Sequence, residues 1–273
     1  MTSTARRVPE IVFKNNALST STRVVAEETA IALSFGGSTE AVMMATPADL
    51  EDFAIGFSLS EGIIESLDEI ENIEIEASSG GIDLQISLKD DVERALRARR
   101  RAKAGPVGCG LCGVESIEEA LKPAANVSDV ALHLTGRDIA QAMHSLSARQ
   151  PLNAETRAVH AAGFHIPGQG LIAVREDVGR HNALDKLIGH LAQQKIGGAE
   201  GAVIMTSRLS VELIQKTAKL GSAVLIGISA PTALAIDMAS KAGMTLVALA
   251  RGEDYEIFTG SDRIRMGAKA DAA

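Results

Sequence analysis

Between Ala202 and Ala250 the sequence alternates short apolar blocks with amphipathic stretches, and few folds accept that rhythm. Ala202–Thr206, Ala223–Ile228 and Met244–Ala250 are apolar runs of strand length, whereas Leu209–Leu220 and Thr232–Ala242 carry apolar residues at helical spacing. Strand–helix–strand–helix–strand with short connections requires parallel strands and right-handed crossovers. A further helix precedes them, with Leu184, Leu187, Ile188 and Leu191 on one face and an end near Gly197-Gly198. In open sheets of this kind ligands bind outside the carboxyl ends of the strands. Three segments fall there: Thr206-Ser207-Arg208, Ser229-Ala230-Pro231-Thr232 and Arg251-Gly252. The first two stand at helix N-termini, where free N–H groups and the helix dipole favour an anion such as a phosphate. Ser229 and Thr232 serve equally well as plain helix caps.

The first third reads as α+β. Ile31, Leu33 and Phe35 alternate, Gly36-Gly37 can turn the chain, and Ala41–Met44 follows as a second strand. A second hairpin is expected where Ile73 and Ile75 precede Gly80-Gly81, with Ile82, Leu84, Ile86 and Leu88 beyond. Between the hairpins, Thr46-Pro47-Ala48-Asp49 reads as a helix start with Thr46 as N-cap and Pro47 at the first helical position. Leu50, Phe53, Ala54 and Phe57 give that helix a buried stripe. Pro123–Asp129 reads as a linker and Leu132–Ser147 as largely helical. The expected division is therefore an N-terminal α+β portion, residues 1–125, and a C-terminal α/β domain, residues 126–273.

Composition narrows the function classes. Lys and Arg total 27 against 35 Asp and Glu, a formal charge of −8, which disfavours a nucleic-acid binder. Six Phe, one Tyr and no Trp leave little for base stacking. No run approaches the roughly 18 apolar residues of a membrane span, and no apolar stretch of signal-peptide length opens the sequence. A cytoplasmic protein without membrane insertion is expected.

The only two cysteines, Cys109 and Cys112, stand in Gly108-Cys109-Gly110-Leu111-Cys112-Gly113. This run matches G-x-G-x-x-G formally, but a basic stretch and Pro106 precede it instead of a hydrophobic strand, so it is no dinucleotide fingerprint. Arg94, Arg97, Arg99, Arg100, Arg101 and Lys103 crowd just upstream, and Ser116-Ile-Glu-Glu119 reads as a capping box just downstream. Cations and a helix N-terminus both favour the reactive thiolate. A structural zinc would need histidines such as His160 and His165 to complete its four ligands, a weak combination, and no metal is expected. A zinc deaminase is excluded, because no histidine has Glu two residues later and Pro106 is not adjacent to Cys109. A thioredoxin-like exchanger would place its C-x-x-C between a strand and a helix. Covalent sulfur carriage through a cysteine persulfide is the reading that remains.

The ordered set of motifs resembles the formate dehydrogenase accessory sulfurtransferases, the FdhD family. The resemblance runs from about Val24 to Thr259, through Ala45-Thr-Pro-Ala-Asp-Leu-Glu-Asp-Phe-Ala-Ile-Gly-Phe57, Ser60-Glu-Gly-Ile-Ile64, the cysteine loop and Val159-His-Ala-Ala162. Its most specific block is Glu176-Asp-Val-Gly-Arg-His-Asn-Ala-Leu-Asp-Lys186, followed by Ser207-Arg-Leu-Ser210, Ser229-Ala-Pro-Thr232 and Ala239–Arg251.

The resemblance implies a sulfurtransferase that accepts sulfur from a cysteine desulfurase as a persulfide on Cys109, with Cys112 as the second catalytic cysteine. It implies delivery of that sulfur to the bis-molybdopterin guanine dinucleotide form of the molybdenum cofactor, the bound substrate, before use in formate dehydrogenase. It further implies a homodimer and a C-terminal domain similar to the cytidine deaminase fold without its zinc. The family's cofactor-binding stretch falls on Leu249, Ala250, Arg251, Gly252, Glu253 and Asp254, with Leu249 where an aromatic is usual. Ser207, Arg208, Ser229 and Thr232 join that stretch from the strand ends, and Arg180 and His181 from a helix start where Gly179 lets the backbone turn. A cofactor-holding chaperone that moves no sulfur is the alternative, and a thiol–disulfide exchanger the third reading.

Overall fold

The computed structural model describes residues 3–103 and 121–265. Its N-terminal part opens with a long hairpin, β1 (Ala5–Lys14) and β2 (Ala17–Ala26), turning at Asn15-Asn16 with φ of 53° and 62°. Asparagine tolerates the left-handed conformation that such two-residue turns demand. The expected hairpins follow as β3 (Thr29–Phe35) with β4 (Ser38–Ala45), and β5 (Ile70–Ser78) with β6 (Gly81–Leu88). Parallel pairing of β3 with β6 joins them into a four-stranded sheet, β4-β3-β6-β5. Its inner face, with Ile31, Leu33, Phe35, Leu84 and Ile86, packs on Phe53, Ala54 and Phe57 of α1 (Leu50–Ser60) and Leu96 of α2 (Asp90–Lys103).

The start of α1 differs from expectation. Asp49, in the left-handed conformation at φ 52°, is the N-cap, and the helix begins at Leu50. Thr46 is buried and committed elsewhere: its N–H donates to Asp177 Oδ2 (3.0 Å) and its hydroxyl accepts from Val178 N–H (3.1 Å). Within the basic stretch, Arg100 pairs with Glu40 at 2.7 Å and donates to the carbonyls of Phe35 and Ser38, so it fastens α2 to the β3–β4 hairpin.

The C-terminal part runs through β7 (Leu134–Thr135), α3 (Gly136–Ala148), the short α4 (Pro151–Thr156), β8 (His160–Ile166), β9 (Gly170–Asp177) and α5 (Arg180–Gln193). The expected alternation then follows: β10 (Ala202–Met205), α6 (Val211–Leu220), β11 (Val224–Gly227), α7 (Ala233–Lys241) and β12 (Thr245–Arg251). β13 (Asp254–Thr259) and β14 (Ile264–Arg265) close the described chain. The main sheet has the order β13-β12-β11-β10-β8-β9, parallel across β10, β11 and β12 and antiparallel at both flanks. The central strands are buried on both faces, as parallel strands generally are. Val203, Met205 and Leu225 meet α5, α6 and α7, while Ile204, Val224 and Ile226 meet α3.

The two parts join where α1 crosses α5. A Cβ on Gly56 would lie 1.7 Å from the Asp185 carbonyl oxygen, and one on Gly189 would lie 1.9 Å from that of Asp52. Only glycine lets these backbones approach so closely.

Candidate functional site

All three strand-end segments lie at one end of the main sheet, and backbone hydrogen bonds stitch them side by side. Ile228 N–H donates to Met205, Leu209 N–H to Ala230, Thr232 N–H to Leu209 and Leu249 N–H to Ser229. Thr206–Arg208, Ser229–Thr232 and Leu249 therefore form one rim. Ser207 is buried, with its hydroxyl on the Arg208 carbonyl (3.0 Å), and Arg208 is exposed. Thr232, not Ser229, is the N-cap of α7, its hydroxyl accepting from Ala235 N–H (3.3 Å).

Leu249 is half-buried and left-handed, φ 53°, at a register shift between β12 and β13. That conformation is uncommon for a leucine and costs on the order of 1 kcal/mol or more, the kind of strain that clusters at ligand-binding positions. Past it, Arg251, Gly252, Glu253 and Asp254 form the exposed β12–β13 turn, farther along the rim, and Ala250 is buried.

Because β8 runs antiparallel to β10, its first residues and the end of β9 reach the same edge. There α5 starts, with Arg180 as its first residue, beside the start of α6; with α7, three helix N-termini face one end of the sheet. Their dipoles make this edge electropositive.

His181 Nε2 faces Glu212 Oε2 from α6 at 3.9 Å. Arg180 Nε, His181 Nε2, Ser210 Oγ and Glu212 Oε2 are buried atoms with no hydrogen-bond partner among the described residues. Burial, then the charges of Arg180 and Lys216, push the His181 pKa down to about 4 against the pull of Glu212 and Glu61. The imidazole is neutral at pH 7. Burial and Arg180 likewise depress His160. The sequence reading has no place for Glu212 and names Ser210 only within the Ser207–Ser210 motif, without a role; their one signal is a polar pair at the first turn of an otherwise apolar-striped helix.

The rest of the Glu176–Lys186 block builds the fold. Asp177 and Lys186 form a fully buried ion pair at 2.6 Å. Asp177 also accepts from Gly179 N–H (2.7 Å) and Asn182 Nδ2 (3.0 Å), while Lys186 donates to the Thr46 carbonyl (2.8 Å). Asp185 binds Lys216 (2.8 Å) and Ser60 (2.7 Å), and Lys216 reaches Glu61 (2.8 Å). Gly179 does not turn the chain through a left-handed conformation: its φ is −100°, and it is small because a Cβ would lie 2.6 Å from Asn182 Nδ2.

Cys109, Cys112 and the capping box at Ser116 lie outside the described residues. Both flanks of their segment are held beside the His181 cluster. Arg99 of α2 donates to the carbonyls of Glu61 (3.5 Å) and Gly62 (3.4 Å), and Gln215 of α6 donates to the Lys122 carbonyl (2.7 Å).

A family model described as FdhD/NarQ matches residues 26–265. A relative named sulfur carrier protein FdhD from Agrobacterium fabrum (strain C58 / ATCC 33970) is 58% identical over 259 residues, covering 95% of this chain and 96% of its own. Another of the same name, from Brucella abortus biovar 1 (strain 9-941), is 54% identical over 260 residues, covering 95% and 97%. A crystal structure from Desulfotalea psychrophila, described as a formate dehydrogenase accessory protein, superposes with a TM-score of 0.77 at 25% identity. It covers 96% of this chain and 100% of that one.

Proposed function

This chain belongs to the FdhD/NarQ family, and from that premise we propose that it is a sulfurtransferase for formate dehydrogenase maturation working through a persulfide on Cys109. Sulfur enters from the persulfide of a cysteine desulfurase. The Cys109 thiolate attacks its outer sulfur, one S–S bond forms as another breaks, and the donor thiolate leaves with no net oxidation. Cys112, three residues on, tunes Cys109 or receives its sulfur. The acceptor is the bis-molybdopterin guanine dinucleotide cofactor, held as substrate, and formate dehydrogenase is the destination. The working unit is a homodimer in the cytoplasm.

One observation carries this reading. Three helix N-termini and the rim of Ser207, Arg208, Ser229, Thr232 and Leu249 converge at the sheet edge whose neighbouring helices also hold both flanks of the cysteine segment. An electropositive edge suits a ligand bearing phosphates, and the buried Arg180 Nε is a donor without an acceptor among the described residues. Arg251 at the exposed end of the rim contributes a cation that phosphate oxygens can reach.

Calorimetry with GDP, the minimal guanine diphosphate portion of the ligand, tests this arrangement. Wild type is expected to bind, and Arg251→Ala to bind at least about fivefold more weakly, the effect of losing one charge-assisted contact of about 1 kcal/mol. Equal affinity of the two proteins removes Arg251 from the site.

A further inference from the structure

Four buried polar atoms lie where the first turns of α5 and α6 come together, each without a hydrogen-bond partner among the described residues: Arg180 Nε, His181 Nε2, Ser210 Oγ and Glu212 Oε2. The charges beneath them are spent within the fold. Asp177 is taken by Lys186, and Asp185 and Glu61 by Lys216. Glu212 keeps its acceptor. His181 Nε2 stands 3.9 Å from Oε2, too far for a hydrogen bond, so the imidazole does not use up the carboxylate. The Glu212 side chain is 42% exposed although Oε2 is covered, which sets the carboxylate between the cluster and solvent. Burial pushes its pKa up, but the polar and cationic groups around it outweigh burial and hold it below the ordinary carboxylate range. It is an anion at neutral pH. The cluster also adjoins the strand-end rim, because Leu209, next to Ser210, is hydrogen-bonded to Ala230 and Thr232.

Buried polar atoms left unpaired are costly, and four in one place call for an occupant with matching groups. What each accepts is set by its type: an arginine Nε only donates, a carboxylate only accepts, and a hydroxyl or neutral imidazole does either. A phosphate does not match, since it only accepts and would set its charge against Glu212. The occupant must bring an acceptor for Arg180 together with donors for Glu212. A 2-amino-4-oxopyrimidine edge carries that set side by side: a carbonyl oxygen, a ring N–H and an exocyclic amine. Adenine and cytosine place their amine beside a ring nitrogen whose lone pair would face the carboxylate. Uracil-type rings hold a single N–H between two carbonyls.

We propose that Glu212 is a specificity-determining residue, its carboxylate accepting from the ring N–H and exocyclic amine of a 2-amino-4-oxopyrimidine while Arg180 donates to the carbonyl oxygen. This assignment rests on the ligand proposed above, whose guanine and pterin parts both carry that edge. The helix N-termini attract the phosphates of such a ligand, and Glu212 selects its heterocycle. A site built to hydrogen-bond a donor discriminates strongly against an analogue that lacks it, because the buried acceptor is then left unpaired.

Isothermal titration calorimetry of the full chain with two ligand pairs tests this. GDP and IDP differ only in the exocyclic amine of the base; 6-carboxypterin and 6-carboxylumazine differ at the corresponding position, amine against carbonyl. Wild type is expected to bind the amine-bearing member of at least one pair at least about tenfold more tightly, the effect of one hydrogen bond to a charged acceptor. The pair that shows it identifies the part of the ligand that Glu212 reads. Glu212→Gln keeps the size and removes the charge, and Glu212→Ala removes the acceptor; each is expected to bring the preference within about twofold. The side chain is partly exposed, so both variants are expected to fold, as circular dichroism will verify. Wild type binding both members of each pair alike, or variants that keep the preference, overturns the role of Glu212 and leaves the ligand in place. No binding of any of the four compounds overturns the ligand and the role of Glu212 together.

Discussion

Asp177→Ala separates the structural share of the Glu176–Lys186 block from its ligand-facing share. The Asp177 carboxylate takes four donors: Lys186 Nζ at 2.6 Å, Gly179 N–H at 2.7 Å, and Thr46 N–H and Asn182 Nδ2 at 3.0 Å each. Without it, the fully buried Lys186 ammonium keeps the Thr46 carbonyl at 2.8 Å and the Phe53 ring at 5.7 Å, too little to replace a counter-charge. Removing one partner of a buried ion pair costs about 3–5 kcal/mol, a large part of the roughly 5–15 kcal/mol that holds a domain folded. At about 2–4 °C per kcal/mol for a chain of this size, the melting temperature is expected to fall by roughly 6–20 °C. Thermal unfolding followed by circular dichroism at pH 7 measures it. Adding Lys186→Met removes the stranded charge, so the double variant is expected to be more stable than the sum of the single losses allows. An Asp177→Ala melting temperature within about 2 °C of wild type, or strict additivity in the double variant, refutes the reasoning.

Gly56→Ala is expected to destabilise by about 2–4 kcal/mol, because its Cβ would fall 1.7 Å from the Asp185 carbonyl oxygen and force α1 away from α5; a urea midpoint unchanged from wild type contradicts that crossing. His181 gives a pH signature. Its folded pKa of about 4 lies below the ordinary value of 6.5, so the unfolded chain binds the proton first as pH falls. Its share of stability is therefore complete above about pH 6.5 and is lost progressively down to about pH 4, with a slope of at most about 1.4 kcal/mol per pH unit. His181→Gln is expected to flatten the urea-midpoint profile between pH 7 and 5, and an identical slope in both proteins removes His181 from that role.

How much was legible follows from how local each signal is. The β10–β12 core was readable because parallel strands buried on both faces need unbroken apolar blocks, and Ala202–Met205 and Val224–Gly227 are such blocks. Turns at Gly36-Gly37 and Gly80-Gly81 were readable from glycine's tolerance of unusual dihedrals. The β1–β2 hairpin was not, since its turn is Asn15-Asn16 and its outward face is apolar, which blurs the usual inside–outside alternation. Thr46 looked like a helix cap on sequence spacing, yet its partners, Asp177 and Val178, are more than 130 residues away. The same distance hides the purpose of Asn182 and Lys186, to which the sequence assigns no role beyond their motif; their contacts with Met44 and Thr46 place them under the fold. Glu212 became visible only when two helix starts met. The comparisons with known proteins agree with the family resemblance of the motifs, while the persulfide itself rests on chemistry that neither fold nor family name supplies.

That chemistry is open to one direct measurement. The full-length protein is incubated with a cysteine desulfurase, its pyridoxal phosphate and cysteine, without added reductant, and peptide mass spectrometry locates any adduct. Wild type is expected to gain the mass of one sulfur atom on Cys109, removable by dithiothreitol. Cys112→Ala is expected to keep that adduct and Cys109→Ala to lose it, along with the ability to activate formate dehydrogenase in a strain lacking its own copy. An unmodified wild type, or a Cys109→Ala variant that still activates the enzyme, contradicts sulfur carriage through this residue.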